Sequence, residues 1–533
     1  MSIVLTEDQK TAFKEITDFI QSTENNVHVL SGYAGTGKTT LTKYVIDWAS
    51  EHNVSFVGIA PTHKAKKVLE RVINKDSFVE HTAFTVAKFL CKMKDHGYVG
   101  SKNFSGKSTS RKYDLYIIDE CSMISDRDVD DILNVAKEAN AKILFIGDRA
   151  QIPNPVQKFA KNKDGSISKK DSKSFDFPTS TLTTIVRQSE KNPLLDSYTE
   201  IRKNLMKRPN LSRTSVISKG RGIRYYTDKD EFRNKICRVF LKHKSELDNF
   251  RVLTYTNEMV KFYNNLIRKA LGRTQTFEVG EILMGYSNST FIENGQEYKI
   301  NNVEQKSTAI KFGQEYNVSG YVVYVSSDSS GNSTPLFFPD ISKKENSPIL
   351  TKLKQLGDKV NSKNSTKQDY GMYMSLKRQL YFIYNIYHVN GKIINETRMK
   401  EAHPMLFDNL SSYINQQRKI IKSEKTDKLL EDYETILTDR IEDDKPIGEN
   451  ERLCDRYQII EKDVDYGYAL TIHKSQGSTY ERIFLDELDL EKIKDKWNSY
   501  ESAMENGTKE RNQLMYVGYT RPTHILYVLC SDT

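Results

Sequence analysis

Residues 28–40 read HVLSGYAGTGKTT, and the order of residue types in this stretch decides how the rest of the chain is parsed. A strand-type apolar run at 27–31 meets a glycine-rich turn at 32–37, and Lys38 then opens a helical pattern through LTKYVIDWA. Strand, turn and helix in that order are the setting a phosphate-binding loop requires. Gly32, Gly35 and Gly37 let backbone amides curl around a phosphate, and the helix N-terminus adds its positive dipole end. Lys38 would reach the β- and γ-phosphates of ATP, the Thr39 hydroxyl would ligate Mg²⁺, and Thr36 and Thr40 complete the nucleotide-binding stretch. A second GKS triplet, at 106–108, has Ser101 where the first glycine should stand and no apolar strand before it, so it is set aside.

A chain of 533 residues exceeds one hydrophobic core and implies several domains of ~100–200 residues each. Hydrophobic residues at 37% and charged residues at 28% suit globular domains, and no apolar run approaches the ~20 residues that span a bilayer. The opening MSIVLTEDQK has no basic segment followed by an apolar one, so a cytoplasmic protein is expected. The five cysteines are scattered and never form a CxxC pair, which indicates neither a disulfide framework nor a zinc site. A net charge of +9 is compatible with a polyanionic partner but is spread over a large surface.

Helical and strand patterns alternate from residue 7 to about 85, with a helix at 7–22, a strand at 55–60 and a helix at 63–72. This is the rhythm of a parallel α/β sheet. Between 88 and 112 it breaks into a Gly-, Ser- and Lys-rich segment with interspersed aromatics, read as an inserted loop or hairpin. Strands at 115–118 and 142–146 around a helix at 126–139 resume it, and the first domain is expected to end near 177. The Lys- and Ser-rich piece at 158–173 reads as a surface loop. A second α/β pattern occupies 178–276, with helices at 193–205, 230–244 and 257–271 and a strand at 251–256. Short alternating runs between 277 and 339, separated by Asn, Gly and Ser turns, suggest a small β-barrel. Residues 341–450 are charged and helical in spacing, broken by LYFIYNIYHV at 380–389, and the α/β rhythm returns at about 456.

Two further stretches carry chemistry. In YIIDECSM (116–123) a strand ends in two acids, which places Asp119 to hold the Mg²⁺ shell and Glu120 to orient and deprotonate an attacking water. In FIGDRAQIP (145–153) a strand delivers Asp148 and Gln151 to the carboxyl edge of the sheet, where open α/β folds bind ligands. Gln151 could sense the γ-phosphate or be a plain polar loop residue.

The ordered set LTEDQK, GYAGTGKTT, APTHKAKK, EHTAF, IIDECSM, GDRAQIP, LTTIVRQ, LTYTN, ALTIHKSQGSTY and LMYVGYTRPTH spans residues 5 to 524. It resembles the superfamily-one helicases of the RecD/Dda-like branch, and its layout is similar to that of the bacteriophage Dda-type enzymes. The resemblance implies an α/β fold of two RecA-like parallel-sheet domains. The first would be 1–177 with a pin-like insertion at about 86–113, and the second 178–276 and 456–533. Between the two parts of the second domain, 277–455 would hold an SH3-like barrel and a charged helical extension.

The resemblance also implies ATP-dependent 5′→3′ movement on single-stranded DNA with unwinding of forked duplex DNA. Gln9 would bond the adenine edge, Arg187 and Arg521 would be arginine fingers, and Gly477 would approach the γ-phosphate. Contacts to DNA would come from Pro61, Thr62, His63, His81, Thr82, Thr256, Asn257, Thr471, His473 and Ser475, whose small polar groups suit a phosphate backbone. Thr62 could equally cap the helix after it. Tyr98 and Phe104 are the pin candidates, if that segment is not simply a basic loop. Residues 341–450 would be either a tower bracing the pin or a docking surface for a replication protein such as a single-strand-binding protein or a polymerase. A monomer with no membrane contact is expected. The alternative is a nucleic-acid translocase that displaces bound proteins from DNA or RNA without strand separation.

Overall fold

The computed structural model describes residues 5–75, 81, 83–90, 113–154, 159–161, 167–169, 172–186, 193–203, 205–286, 292, 294–312, 314–327, 333–340, 343–360, 366, 368–369, 371–373, 376, 464–496 and 500–531. They fall into two units, one of residues up to 274 and from 467 onward, the other of residues from 275 to 466. The first unit begins with α1 (Glu7–Gln21), β1 (Val27–Gly32), α2 (Lys38–Glu51), β2 (Phe56–Ala60), α3 (His63–Ile73), β3 (Ala83–Thr85), α4 (Val86–Phe89), β4 (Leu115–Ile118), α5 (Asp126–Ala139) and β5 (Lys142–Gly147). It continues through β6 (Phe159–Lys161), β7 (Ile167–Lys169), β8 (Thr179–Leu182), α6 (Pro193–Lys203), β9 (Val216–Ser218), β10 (Arg221–Tyr226), α7 (Lys229–Lys242), β11 (Phe250–Thr254) and α8 (Asn257–Ala270). The second unit holds β12 (Ile282–Gly285), β13 (Glu297–Phe312), β14 (Gln314–Ser326), β15 (Thr334–Pro339), α9 (Ser347–Val360) and β16 (Val464–Tyr466). The chain then returns to the first unit as β17 (Ala469–Thr471), β18 (Tyr480–Asp486), α10 (Glu487–Leu490), α11 (Tyr500–Thr520) and β19 (Pro522–Leu529).

The first unit is built on two six-stranded sheets. One runs β3-β2-β4-β5-β1-β8 and is parallel throughout. Its inner strands β2, β4 and β5 are apolar on both faces because both are covered. Leu30, Leu115, Ile117, Leu144 and Ile146 pack with Ile16, Leu41, Val45 and Leu69 of α1 to α3. The alternate residues Val29, Tyr116, Ile118, Ile143 and Phe145 pack with Val129, Ile132 and Ala136 of α5. Helix starts follow from local chemistry. Thr6 and Gln9 form a capping box on α1, and Ser125 accepts from the Asp128 N–H to start α5. The other sheet runs β17-β11-β18-β19-β10-β9 and is parallel except for the antiparallel pair β9–β10.

In the second unit β15-β14-β13-β12-β16 form an antiparallel sheet. Its spine is a long hairpin, 16 residues in β13 against 13 in β14, with a register shift between Ile300 and Asn302. Asn346, fully buried, donates to the carbonyls of Ser319 (2.6 Å) and Asp340 (2.7 Å) and accepts from the Ser319 N–H (2.9 Å), pinning β14 to the turn after β15.

The structure corrects the expected outline in four places. The first sheet does not end at 177, since β8 pairs with β1 from Thr179 to Leu182; TSTL is polar and reads as a strand only once its partner is known. The second unit does not end at 455, because β16 pairs with β12. Within 158–173 the described residues include an antiparallel pair, β6 with β7, in place of a plain loop. Of the short runs expected between 277 and 339, β12 and β15 are short but β13 and β14 are long, and among the described residues they pair as a sheet with β15 and β16 at its edges. Residues 91–112, most of the expected pin, and 377–463 lie outside the described residues.

Leu144 is fully buried in the middle of β5. Leu144→Ala should destabilise the first unit by about 2–5 kcal/mol, read as an earlier midpoint in urea denaturation followed by circular dichroism.

Candidate nucleotide site

Strand β1 delivers the loop and α2 receives it. Gly35 and Gly37 both lie in the left-handed region, at φ 85° and 84°. A Cβ on Gly37 would fall 2.3 Å from Gln9 Nε2, and one on Gly32 would fall 2.7 Å from Thr36 Oγ1. Only glycine fits these positions. Lys38 Nζ donates to the carbonyls of Gly32 (2.6 Å) and Tyr33 (3.1 Å), while buried Thr36 donates to the Tyr33 carbonyl (2.9 Å). Thr39 is exposed and Thr40 half-buried on the first turn of α2. The Val186 N–H donates to the Gly35 carbonyl at 2.8 Å, so the segment after β8 closes over the loop.

Gln9 makes its bonds within the protein. Its Nε2 donates to the Thr36 carbonyl (2.9 Å) and its Oε1 accepts from the Thr6 N–H (3.0 Å). Both ends of the buried amide are used in bracing the loop against α1.

Strand β4 ends in Asp119 and Glu120. Glu120 has left-handed backbone, φ 50° and ψ 42°, and its N–H donates to Asp119 Oδ1 at 2.8 Å. A non-glycine residue in that region marks stored strain, which concentrates at functional sites. Burial and then the Glu120 charge push the Asp119 carboxyl up, against the Glu120 N–H and the Lys38 ammonium, which pull it down. The loop lysine and both acids therefore share one electrostatic neighbourhood. Glu120 Oε2 is buried without a hydrogen-bond partner, as is Gln151 Oε1 beyond β5.

The second sheet's long helix α11 reaches this site. The Tyr516 hydroxyl donates to Asp148 Oδ2 (2.7 Å) and accepts from the Ala34 N–H of the loop (2.9 Å). Burial and Asp148 push the Tyr516 phenol well up, so it stays protonated and remains the donor. Gln513 Nε2 donates to the Gln151 carbonyl and Gln476 Nε2 to the Ile152 carbonyl, both at 3.1 Å and buried. On α6, Tyr198 meets Tyr516 edge-on, and the Arg202 guanidinium lies 4.1 Å from the Tyr33 ring centroid. A cavity of about 200 Å³ beside the loop is lined by Ala34, Gly35, Tyr198, Thr479, Tyr519 and Thr523 among others. Sequence reading missed Tyr516, Gln513, Tyr198 and Arg202. Their one signal was position, on or near two of the motif stretches.

The remaining candidates are spread. Arg521 is buried and donates to the carbonyls of Val517 (3.2 Å) and Ser478 (3.1 Å) and to Thr520 Oγ1 (3.1 Å), all in its own half of the unit. Gly477, at φ 74°, lies against Ala65 of α3, the nearest atom a Cβ would meet at 3.6 Å. Thr62 accepts from the Ala65 N–H (3.2 Å), Thr256 from the Met259 N–H (3.3 Å) and Thr471 from the Lys474 N–H (3.4 Å), so each caps a helix or turn at a strand end. Pro61, His63 and His473 are half-buried beside these caps, and Asn257 is exposed. His81 exchanges two backbone bonds with the Asn74 amide. Ser475 departs from expectation: fully buried and donating to the Ile472 carbonyl (2.7 Å), its hydroxyl holds the turn and faces no solvent. Thr82, Tyr98, Phe104 and Arg187 lie outside the described residues.

These residues fit a nucleotide phosphate carrying Mg²⁺. The glycine cradle would be filled by any Cβ, and two buried polar atoms stand unpartnered around it. Among the described residues no group of three or more His, Cys, Asp or Glu is arranged to hold a metal. Mg²⁺ at such a site does not need one, since a carboxylate or two plus substrate phosphates and water complete its shell.

Loop, acid-ended strands and a second parallel sheet joined to the first define a phosphate-loop nucleotide-binding protein with two α/β lobes. A family model described as an AAA domain matches residues 4–210. The chain is 31% identical over 329 residues to the ATP-dependent DNA helicase dda of Enterobacteria phage T4, covering 58% of this chain and 70% of that protein. It is 27% identical over 519 residues to the uncharacterized protein R530 of Acanthamoeba polyphaga mimivirus, covering 91% and 94%. A crystal structure of the Pif1 helicase from Bacteroides in complex with ADP-AlF3 and ssDNA aligns over 99% of this chain and 92% of that one, with 15% identity and a TM-score of 0.45. The chain belongs to the Dda/RecD-like family of superfamily-1B helicases.

Tyr516→Phe removes one hydroxyl and leaves the Ala34 N–H and the Asp148 carboxylate each short of a partner. It should lower stability by about 1–3 kcal/mol, measured as a shifted denaturation midpoint against the unmodified protein.

Proposed function

We propose that the chain is an ATP-dependent helicase that moves 5′→3′ on single-stranded DNA and parts forked duplex. The observation that carries this reading is the joint at Tyr516, which links the loop amide of Ala34 and the strand-end acid Asp148 to the helix that leads into Arg521. Whatever the loop binds therefore bears on both lobes. The direction of movement is taken from the family.

In this reading Lys38 holds the β- and γ-phosphates and Glu120, held in its left-handed turn, orients the attacking water and takes its proton. Mg²⁺, held by Thr39 and Asp119, would neutralise charge developing on the phosphates. Gln151 senses the terminal phosphate. Arg187 and Arg521 stabilise the transition state from the second lobe, and for Arg521 this means leaving the carbonyls of Val517 and Ser478. Gly477 moves towards the phosphate as the lobes close. The strand would be gripped alternately by the Pro61–His63 end of the first lobe and the Asn257 and His473 ends of the second. The segment at 86–113 would act as the pin, and the antiparallel sheet of the second unit with residues up to 455 as an SH3-like barrel and tower. The protein would work in the cytoplasm, that of a host cell if it is phage-encoded, as a monomer beside replication proteins.

Strand separation on two forked substrates, one with only a 5′ tail and one with only a 3′ tail, tests this, with Lys38→Ala as the inactive control. Opening of the 5′-tailed fork alone is expected. Opening from the 3′ tail would reverse the polarity, and hydrolysis without opening would favour a translocase that displaces bound proteins. Glu120→Gln should bind ATP and DNA yet hydrolyse at least about 100-fold more slowly; near-normal turnover would remove Glu120 from the mechanism.

A further inference from the structure

Helix α7 presents Lys235, Arg238 and Lys242 at spacings of three and four, which puts them on one stripe of its surface. The stripe borders the second parallel sheet where Arg224 of β10 pairs with Tyr527 of β19, and where Arg482 projects from the start of β18. The cations lie over rings: Lys235 Nζ is 5.5 Å from the Tyr527 centroid, Arg224 is 5.5 Å from that of Tyr226, and Arg482 is 5.5 Å from that of Phe250. Tyr226, Tyr527 and Phe250 are themselves buried. Glu231, one turn before Lys235, stands at the N-terminal end of the stripe, and the ion pairs among the described residues include none that joins an acid to these five cations.

Burial, then Arg224, Arg482, Arg238 and Lys242 in that order, push the Lys235 ammonium down from its ordinary value. Five cations beside the neighbouring acid Glu231 leave an excess of like charge, a standing cost to the fold that an anion would relieve.

We propose that this stripe binds the phosphate backbone of double-stranded DNA. Lys235, Arg238 and Lys242, set at about one helical turn from one to the next, suit successive phosphates, which fix position without reading sequence. The aromatic rings distinguish a duplex from a single strand. Single-strand sites stack bases on exposed rings, whereas here the rings are buried beneath the cations and offer no face to a base. The surface also differs from the strand-end grip. Arg482 pairs with Phe250 at the start of β11, while Thr256 and Asn257 follow that strand's far end.

This inference rests on the reading that the protein acts on DNA, and the test separates the two. The triple variant Lys235→Gln, Arg238→Gln, Lys242→Gln is compared with the unmodified chain and with a matched triple, Lys10→Gln, Lys14→Gln, Lys137→Gln. Fluorescence anisotropy reads binding of a blunt duplex and of a single-stranded oligonucleotide over a salt series, alongside single-strand-stimulated ATP hydrolysis. Expected for the stripe variant is about a tenfold or greater loss of duplex affinity. Its log–log salt dependence should be shallower by about 2–3, with single-strand affinity and hydrolysis within about twofold of the original. Unchanged duplex binding and salt slope would overturn the proposal, as would an equal loss with the matched triple or on single strands. If the unmodified protein bound no DNA and showed no stimulated hydrolysis, the helicase reading itself would fail.

Discussion

A phosphate loop has to hold a glycine-rich curl of backbone in one shape, and most of the first unit can be understood as the scaffold for that constraint. Two left-handed glycines make the curl possible, at φ 85° and 84°. They also make it floppy in isolation, because glycine gives up the most conformational freedom on ordering. Four contacts from outside restore rigidity: Gln9 on the Thr36 carbonyl, Val186 on the Gly35 carbonyl, Tyr516 on the Ala34 N–H and Arg202 over the Tyr33 ring. Two come from the first sheet's own side and two from helices that belong with the second. The loop is thus a shared part, and its order depends on both lobes.

The same arrangement explains how two separate parallel sheets behave as one unit. No large apolar seam needs to be invoked. Buried side-chain amides and one phenol each satisfy a backbone group or a carboxylate of the first lobe, at Gln151, Ile152, Asp148 and Ala34. Polar joints of this kind are directional. They hold one relative placement well and, once broken, leave costly unpaired groups that favour re-forming it or exchanging it for another fully bonded one. Lys64 reaching the Tyr480 hydroxyl at 2.8 Å extends the joint towards the α3 side.

Much of the first lobe was legible because its inner strands are apolar on both faces and its helices carry their own start signals. LYII at 115–118 and the helix from Asp126 to Ala139 needed no tertiary information. β8 was not legible, since three of the four residues in TSTL are polar and it is a strand only by pairing with β1. The glycines, Lys38 and the acids could be read from one stretch each. The joint could not, because its chemistry is made between residues 482 apart in the case of Ala34 and Tyr516. Burial decided the fate of the hydroxyls assigned to DNA. Sequence shows a Ser or Thr at a strand end, but Ser475 spends its hydroxyl inside the turn.

Glu120 carries a further consequence. Its backbone conformation is one that asparagine and glycine adopt readily and glutamate does not. A glycine or asparagine there would relax the turn, and by the usual scale of such strain, about 1–3 kcal/mol, the chain would gain stability as it lost the acid. Selection for a more stable protein alone would therefore favour replacing it. A glutamate held in so unfavourable a turn is a place where the fold gives up some of its own durability.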